Sequence, residues 1–516
     1  MTFDITRMLL ADVFDHPVSH VELIETHISW VILTGQFAYK IKKPVNFGFL
    51  DFSTLEKRQH YCDQELQLNR RLAPEIYLKV IAITGSKDKP SLKSSGKVIE
   101  YAVKMKQFPQ AAQLDNMLAS GKLNTYHMDA IAHMVAEFHQ NTDVTDNTME
   151  YGSSNIIYQP VEENFTQIKT HLDTAVYADK LAKLEQWCNT EFLRLKTDFE
   201  QRKQDGFVRE CHGDMHLRNL LWLDDHAIAF DCIEFNSKLR WIDVISEVAF
   251  LAMDLHERKQ QRLANHFLNT YLELTGDYEG LTVLPFYLCY RALVRAKVNV
   301  LRLEQKELST EEKKTTINEF ESYLDLAITY SQHRKPKVII MRGLSASGKS
   351  TVSQQLLDSI GVIRIRSDVE RKRLYGISAT DSAADNIESG IYSSDASTYT
   401  YKKLIELTSF IIKAGYSVIV DATFLKHEQR EAFRIVSEKL GAHFTILDIT
   451  APAEVLRHRI TQRKGDVSDA NLAVFEHQLT HSQPLHLDEA KYAVSVDTNE
   501  AINIDRVIEK INKKTI

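Results

Sequence analysis

The sequence predicts a chain of two domains, the first α+β and the second α/β with a parallel sheet covered by helices. Three observations lead to this prediction. The chain has 516 residues, more than a single hydrophobic core usually supports. After residue 336, apolar runs of strand length alternate with amphipathic helical stretches, as in a parallel sheet. Before a basic, proline-broken stretch at residues 333–337, strands are followed by a long helical region. We therefore expect domains at residues 1–335 and 336–516.

The composition is typical of a globular cytoplasmic protein. Apolar residues make up 44% and charged residues 26% of the chain, so disorder is not expected. The net charge of −7 gives no support to a general polyanion-coating role. The five cysteines lack a C-x-x-C pair, which argues against a disulfide framework or a zinc site. Because no signal-like start and no apolar run of membrane-spanning length occurs, we expect a cytoplasmic protein without a membrane segment.

One stretch has a spacing that by itself specifies a chemistry. Residues 343–350 fit the pattern G-x-x-x-x-G-K-[ST]. The apolar run at 338–341 predicts a buried strand, and residues 352–357 predict the start of a helix, which is the context that this motif requires. In such a loop, backbone N–H groups turn toward phosphate oxygens, Lys349 reaches the β- and γ-phosphates, and Ser350 holds Mg²⁺. The predicted ATP-binding residues are Gly343, Ser345, Ser347, Gly348, Lys349, Ser350 and Thr351. The alternative is a simple Gly/Ser turn.

The first part of the chain contains a lysine and a glutamate in a suggestive order. A short helix and a loop are expected up to residue 25, and two strands follow within residues 28–42. Lys40 and Lys42 are two positions apart and therefore point to the same face. The next helical stretch carries Glu65. Kinases use a strand lysine paired with a helix glutamate to hold nucleotide phosphates, although charged residues at a sheet edge and on a helix surface give the same pattern.

A second motif follows. The sequence His-Gly-Asp-Met-His-Leu-Arg-Asn at residues 212–219 is followed by an apolar segment that contains Asp231. With the upstream lysine and glutamate, these residues resemble the aminoglycoside phosphotransferase-like branch of the protein-kinase fold, whose catalytic loop reads H-G-D-x-H-x-x-N, over about residues 25–330. The resemblance implies that Asp214 accepts the proton of an acceptor hydroxyl and that Asn219 and Asp231 hold Mg²⁺. It also implies that Lys40, or alternatively Lys42, binds the phosphates with Glu65 as its partner.

This part departs from the family at one point. Many kinases cover the phosphates with a glycine-rich loop, whereas only Gly35 stands between the two predicted strands here. By resemblance, residues 104–109 receive the adenine. On an apolar helix at residues 286–302, a stripe recurs at the helical period and consists of Arg291, Arg295, Asn299 and Arg302. The stripe either faces an anionic acceptor or is neutralised by acidic neighbours such as Glu234, Asp243 or Glu247.

The second part resembles the small P-loop kinases of the zeta-toxin and polynucleotide-kinase-like group, over about residues 336–500. Beyond the P-loop, the residues that carry the resemblance are Asp368, Asp421, Arg459 and Arg463. The resemblance implies that Asp368 positions an acceptor hydroxyl, that Asp421 belongs to the metal shell, and that the two arginines close over the transferred phosphoryl group. As alternatives, Asp368 caps a helix and the arginines form a pair on a solvated helix face. Residues 376–397 lie where such kinases bind the acceptor.

Together the two parts resemble bifunctional fusions of an aminoglycoside phosphotransferase-like domain with a zeta-toxin-like P-loop domain of the AAA family. We expect two ATP·Mg²⁺ sites that transfer the γ-phosphoryl group to hydroxyls of small polar metabolites, of the sugar or nucleotide-sugar type. An anionic acceptor is one option.

Three alternatives stay open. One part binds ATP only to regulate the other, or the P-loop part phosphorylates 5′-hydroxyl ends of nucleic acid, or the chain is a nucleotide-gated module for a protein partner. Nucleic acid is the weaker acceptor, because no stretch interleaves aromatic residues with lysine or arginine. The sequence does not determine the oligomeric state.

Overall fold

The computed structural model describes residues 4–48, 50–93, 96–146, 148–172, 176–304, 308–377, 394–462 and 472–514. The chain forms two compact units. The first unit comprises Met1–Gln167 and Lys196–Asp254, and the second unit comprises Ile168–Leu195 and Leu255–Ile516. Each unit is therefore discontinuous in sequence. The domain boundary at residue 335 stays a prediction.

Up to residue 257 the described residues form ten strands and six α-helices. The strands are β1 (Glu22–Glu25), β2 (Ser29–Leu33), β3 (Phe37–Lys42), β4 (Tyr77–Ser86), β5 (Lys89–Ser91), β6 (Val98–Lys106), β7 (Val208–Glu210), β8 (Leu220–Leu223), β9 (His226–Ala229) and β10 (Trp241–Asp243). The helices are α1 (Leu55–Asn69), α2 (Leu114–Ala119), α3 (Thr125–Asn141), α4 (Ser154–His171), α5 (Ala178–Gln204) and α6 (Val244–Glu257).

The described residues that follow form five strands and ten α-helices. The strands are β11 (Lys337–Arg342), β12 (Ile363–Arg366), β13 (Val418–Asp421), β14 (His443–Thr450) and β15 (Ala493–Asp497). The helices are α7 (Gln261–Thr275), α8 (Leu284–Leu303), α9 (Thr310–Tyr330), α10 (Lys349–Ile360), α11 (Ser367–Leu374), α12 (Ser394–Lys413), α13 (His427–Lys439), α14 (Ala453–Gln462), α15 (Leu472–His481) and α16 (Ile504–Lys513).

The main sheet of the first unit is antiparallel. Its order over the described residues is β1-β2-β3-β6-β4-β5. The two strands predicted within residues 28–42 are confirmed as β2 and β3. The helix expected before residue 25 was wrong, because two short 3₁₀ turns at Ile5–Leu9 and Ala11–Val13 precede the strand β1. The backbone at Leu10, between the two turns, is extended (φ −89°, ψ 132°), so one continuous helix does not form. The predicted α+β fold of the first part of the chain is confirmed.

Strand β3 places two lysines beside helix α1. Ala38 packs in the core cluster that contains Cys62 of α1, whereas Tyr39 packs in a second cluster on the opposite face of the sheet. Because successive strand residues alternate between faces, Lys40 and Lys42 lie on the face that carries α1. The amino-acid alternation along β3 therefore determines where the lysine amines meet the helix.

The second unit contains a parallel sheet, which confirms the predicted α/β fold. Its order over the described residues is β12-β13-β11-β14-β15. The central strand β11 is completely buried from Val338 to Met341, and helices α10 and α16 complete the core cluster on one side. Because the strands are parallel, their carboxyl ends share one edge of the sheet, where ligands of such sheets bind. The P-loop follows β11, Asp368 follows β12 and Asp421 ends β13, so all three lie at the ends of neighbouring strands at this edge.

Helix α7 is an integral part of the second unit. The side chain of Asn269 donates to the carbonyl oxygen of Val362 at 3.1 Å and accepts from the backbone N–H of Arg364 at 2.8 Å. These two hydrogen bonds occupy backbone groups at the edge strand β12 that a further strand would otherwise pair with. His266 Nδ1 lies 2.9 Å from a carboxylate oxygen of Asp358 on α10.

Among the described residues, no helix has both the length and the apolar character needed to cross a bilayer.

A buried arginine holds the loop that follows β13. Arg430 is completely buried, and its guanidinium donates to both carboxylate oxygens of Glu489 at 2.7 and 2.8 Å. It also donates to the carbonyl oxygen of Phe424 at 3.1 Å, a residue with the unusual φ of 49°. One residue earlier, the carbonyl oxygen of Thr423 accepts from the backbone N–H of Gly343 at 3.0 Å. Arg430 thus stabilises a loop that contacts the start of the P-loop.

We predict that Glu489→Ala lowers the free energy of unfolding by about 3 to 5 kcal/mol, because it leaves the buried Arg430 charge unpaired. Glu438→Ala, which removes the exposed partner of Arg434 on the same helix, is the control and should change stability by less than about 1 kcal/mol. Burial raises the pKa of Glu489, but the Arg430 guanidinium and other hydrogen bonds lower it overall to about 2. The ion pair therefore stabilises the fold above pH 4.5, and this contribution is lost as the pH falls toward 2. Urea unfolding at several pH values measures both effects, and equal losses for the two variants would contradict the prediction.

Candidate active sites

The first candidate site begins with a buried cluster of lysines and carboxylates in the first unit. Lys40 Nζ lies 2.8 Å from one oxygen of Glu65 and also contacts Asp231. Lys42 Nζ lies 2.7 Å from the other oxygen of Glu65 and contacts Glu234. The Lys42 side chain is 1% exposed and that of Lys40 is 12% exposed. Both lysines thus share Glu65, and Lys40 is the one that reaches Asp231.

The protonation states of this cluster follow from its pairing. Burial, the largest influence on Glu65, raises the pKa of its carboxyl, but Lys40 and Lys42 outweigh burial and lower that pKa to about 2. Burial lowers the pKa of the Lys40 amine, whereas Asp231 and Glu65 raise it well above its ordinary value. At neutral pH Glu65 is therefore a carboxylate and Lys40 an ammonium group. A charged lysine next to an acidic cluster is suited to binding phosphate and a divalent cation.

The H-G-D-x-H-x-x-N motif forms a loop that leads into the hairpin of β8 and β9. The side-chain amide of Asn219 donates to a carboxylate oxygen of Asp214 at 3.0 Å. The carbonyl oxygen of Asn219 accepts from the backbone N–H of Phe230 at 3.0 Å, the residue before Asp231. His216 Nε2 lies 3.5 Å from Asp214. The predicted residues Asp214, Asn219 and Asp231 are thus connected through adjacent contacts, and Asp231 in turn meets Lys40.

Two buried groups hold this loop in place. His212 is completely buried, and burial lowers the pKa of its imidazole. Its Nε2 lies 2.9 Å from the carbonyl oxygen of Phe230, so the neutral ring donates there. The Glu247 carboxylate accepts from the backbone N–H of His212 at 3.0 Å and from that of Gly213 at 2.6 Å. Burial raises the pKa of Glu247, but His139 and these donors lower it overall to about 2.

The residues after β6 contact the turn between β2 and β3. The side-chain oxygen of Gln107 accepts from the backbone N–H groups of Thr34 and Gly35, at 3.0 and 2.8 Å. The turn that contains Gly35 is therefore held to the segment expected to receive adenine. Because β1 precedes β2, the structure has a second turn, Thr26–Ile28, which connects these two strands. The backbone N–H of Lys43 donates to the carbonyl oxygen of Ile28 in this turn. That turn contains no glycine.

The second candidate site is the P-loop of the second unit. Gly343 has a φ of 156°, and a Cβ at this position would lie 2.5 Å from the carbonyl oxygen of Ile449, so only glycine fits. Lys349 Nζ donates to the carbonyl oxygens of Gly343 and Leu344 at 3.0 and 2.8 Å. The Ser347 hydroxyl is buried and has no hydrogen-bond partner among the described residues. An orphaned buried hydroxyl in a curved loop of this kind suits a phosphate oxygen.

Three further predicted residues of the second unit, Asp368, Asp421 and Arg459, line a cavity with a volume of about 1160 Å³. Asp421 is buried and accepts from the Ser353 hydroxyl at 3.1 Å. Asp368 lies in the first turn of α11, where Arg366 and not Asp368 occupies the N-cap position. Arg459 lines the cavity and donates to the hydroxyl of Thr498, another lining residue, at 3.0 Å. The described lining also includes Gly348, Lys349, Ser350 and Thr351.

Some predicted positions lie outside the described residues. Arg463 is one of them, and most of the acceptor segment expected at residues 376–397 is another. Of the arginine stripe on α8, Arg291 and Asn299 are buried. The acidic neighbours considered for that stripe have partners in the first unit, namely Lys42 for Glu234, Arg202 for Asp243 and His139 for Glu247.

Several residues of the two sites were not predicted from the sequence. Glu234 was considered only as a neighbour of the arginine stripe, whereas it pairs with Lys42. Gln478 accepts from the backbone N–H of Ser345 at 2.9 Å. Arg366 lines the P-loop cavity. The position of Arg366 two residues before Asp368 is a signal that could have identified it, but Gln478 lies in a helix that carries no motif.

The chain is similar to several known proteins in sequence or in structure. Residues 338–485 match the family model described as AAA domain. The chain is 28% identical over 462 residues to an uncharacterized protein of Mycobacterium tuberculosis, and this alignment covers 89% of the chain and 90% of the relative. Similar solved structures include an amicoumacin kinase, 16% identical with a TM-score of 0.39, covering 61% of this chain and 91% of that chain. A sugar kinase from Janibacter is 20% identical with a TM-score of 0.27, covering 34% of this chain and 93% of that chain.

We predict that Gly213→Ala disables the first site. Gly213 has a φ of 88°, and a Cβ there would lie 2.7 Å from the carbonyl oxygen of Leu239. Gly121→Ala is the matched control, because its φ is 70° but no atom lies within 4 Å of the new Cβ. Both substitutions should cost about 1 to 2 kcal/mol for the left-handed backbone, and Gly213→Ala a further 1 to 3 kcal/mol for the clash. Thermal unfolding and ATP turnover measure the difference, and identical behaviour of the two variants would refute it.

Proposed function

We propose that this chain is an ATP-dependent phosphotransferase with two kinase-type sites that phosphorylate hydroxyl groups of small polar metabolites. The observation that carries the proposal is a cavity of the second unit, whose lining combines residues of the P-loop, among them Lys349, with Asp368, Asp421 and Arg459. A phosphate-binding loop, two carboxylates and an arginine in one concave site are the components that phosphoryl transfer requires. Catalysis rests on positioning and charge neutralisation, not on a covalent intermediate.

In the second unit, the backbone N–H groups of the P-loop and Lys349 hold the phosphates of ATP. Ser350 and Asp421 are the oxygen donors that would hold Mg²⁺, which supplies charge neutralisation when bound. Asp368, with a side chain 25% exposed, orients the acceptor hydroxyl and accepts its proton. Arg459 neutralises negative charge on the transferred group. Arg463 is proposed for the same role by the family resemblance.

In the first unit, Lys40 holds the phosphates and Glu65 fixes the lysine in position. The amide nitrogen of Asn219 is engaged by Asp214, which leaves the amide oxygen as the group for Mg²⁺ together with Asp231. Asp214 receives the proton of the acceptor hydroxyl. The contact between Lys40 and Asp231 neutralises both groups until nucleotide binds.

The lining of the cavity in the second unit favours an anionic acceptor. Its described basic residues are Lys349, Arg366, Arg371, Lys402, Lys426 and Arg459, whereas its described carboxylates are Asp368, Asp421 and Glu428. ATP takes up part of this positive charge through the P-loop. Arg371 lies 3.3 Å from Asp368, beside the proposed base, where it would meet an acceptor phosphate or carboxylate. A phosphorylated sugar or a nucleotide sugar has this chemistry.

The test is a metabolite screen for ATP-dependent phosphorylation with the wild type, Lys349→Ala and Asp214→Asn. We expect Lys349→Ala to lose phosphorylation of one acceptor and Asp214→Asn that of another, each by at least about a hundredfold, because each substitution removes a group of only one site. Mass spectrometry of the products provides the measurement. Retention of all activity in one variant would show that the corresponding unit binds ATP only to regulate the other.

A second candidate function for the P-loop unit is phosphorylation of nucleic-acid 5′-hydroxyls, which the basic lining of the same cavity favours. Incubation with labelled ATP and 5′-hydroxyl oligonucleotides of RNA and DNA distinguishes the two. Under the proposed function we expect no transfer to either oligonucleotide, and transfer that Lys349→Ala abolishes would favour the second candidate.

A further inference from the structure

One carboxylate from outside the P-loop segment contacts the arginines of the edge strand. Glu273 lies near the end of α7, more than sixty positions before the P-loop in the sequence. Its two carboxylate oxygens lie 3.2 Å from Arg366 and 3.4 Å from Arg364, both on β12. The backbone carbonyl oxygen of Glu273 accepts from Arg373 of α11. Glu273 thus connects α7 to the strand β12, which precedes Asp368, and to the helix α11, which contains Asp368.

Arg366 is the member of this group that belongs to the cavity. It lines the cavity, and its position is opposite Asp421 in the register of β12 and β13. Side chains at opposite positions of paired strands lie on the same face of a sheet. Burial lowers the pKa of Arg366, but Glu273, Asp421 and Asp368 raise it above its ordinary value. Its guanidinium therefore lies in the field of both carboxylates proposed for phosphoryl transfer.

The position of Glu273 is itself rigid. Asn269, one helical turn earlier on α7, is buried and hydrogen bonds to the backbone of β12 on both sides of Ile363. A Cβ at Gly361, before β12, would lie 2.9 Å from the side chain of Asn265, so α7 and the start of the strand are in close contact. The Glu273 side chain is 19% exposed and that of Arg366 is 13% exposed. A mostly buried ion pair between two fixed elements defines the direction of the guanidinium.

We propose that Glu273 is a positioning residue of the P-loop site: it holds the Arg366 guanidinium between Asp368 and Asp421, where Arg366 meets the negative charge of the group being transferred. The proposal rests on the proposed phosphotransferase function of the same cavity. It implies that the P-loop site is completed by helix α7, a part of the chain that precedes the predicted domain boundary. Neither the P-loop motif nor the strand and helix pattern after residue 336 indicates this dependence.

The experiment uses the full chain with Asp214→Asn as the background, so that ADP release from MgATP reports on the second unit. Glu273→Gln, Arg366→Gln and the double variant are compared with Glu279→Gln, which alters an exposed carboxylate a few residues after α7. We expect Glu273→Gln and Arg366→Gln each to lower kcat at least about tenfold, with the KM for MgATP changed less than about twofold. The double variant should show no further loss, because both single changes remove the same interaction.

A second measurement is independent of turnover. Phenylglyoxal modifies exposed guanidinium groups, and peptide mass spectrometry locates the modified arginine. We expect Arg366 to be modified several-fold faster in Glu273→Gln than in the background, and Glu279→Gln to leave the rate unchanged. If no variant releases ADP but Arg366 is still freed by Glu273→Gln, the proposed function fails and the positioning role stands. If Glu273→Gln changes neither the Arg366 modification rate nor kcat, or if the losses of the single variants multiply, the positioning role is overturned.

Discussion

The first site depends on the ion pairs that the completely buried carboxylate of Glu65 forms with two lysines. Removing a carboxylate from water costs several kcal/mol unless cations compensate it, and Lys40 and Lys42 provide that compensation at 2.8 and 2.7 Å. The same requirement recurs in the second unit. There Arg430 pairs with Glu489 to hold the loop after β13, and Glu273 pairs with Arg366 at the cavity. In each unit, a buried ion pair thus also fixes the position of a side chain of the proposed site, Lys40 in the first and Arg366 in the second.

We propose the same chemistry, phosphoryl transfer, for both units, although their backbone folds differ. In the first unit an antiparallel sheet presents a lysine to a helix, and a hairpin brings Asp231 to that lysine. In the second unit a parallel sheet places the P-loop, Asp368 and Asp421 at neighbouring strand ends. In the first unit the lysine contacts carboxylates directly, and in the second unit Lys349, Asp368 and Asp421 line one cavity. We propose that each arrangement positions a nucleoside triphosphate and its metal ion.

Much of the fold and of both sites follows from local patterns. Alternation along β3 predicts that Lys40 and Lys42 share a face, and the P-loop spacing predicts a turn that only glycine allows at Gly343. What local patterns miss is contact between distant segments. The partners Glu234, Gln478 and Glu273 are separated from Lys42, Ser345 and Arg366 by roughly ninety residues or more, and a single sequence carries no periodicity for such pairs. Strand β1 was missed for the same reason, because its pairing partner and not its own residues determines its conformation.

We propose that each unit binds its own MgATP. Titration calorimetry with a non-hydrolysable ATP analogue and Mg²⁺ measures the number of sites per chain directly. We predict two sites in the wild type, one in Lys40→Ala and one in Lys349→Ala, since each substitution removes the phosphate lysine of one unit. A stoichiometry of one in the wild type that either substitution leaves unchanged would contradict the claim.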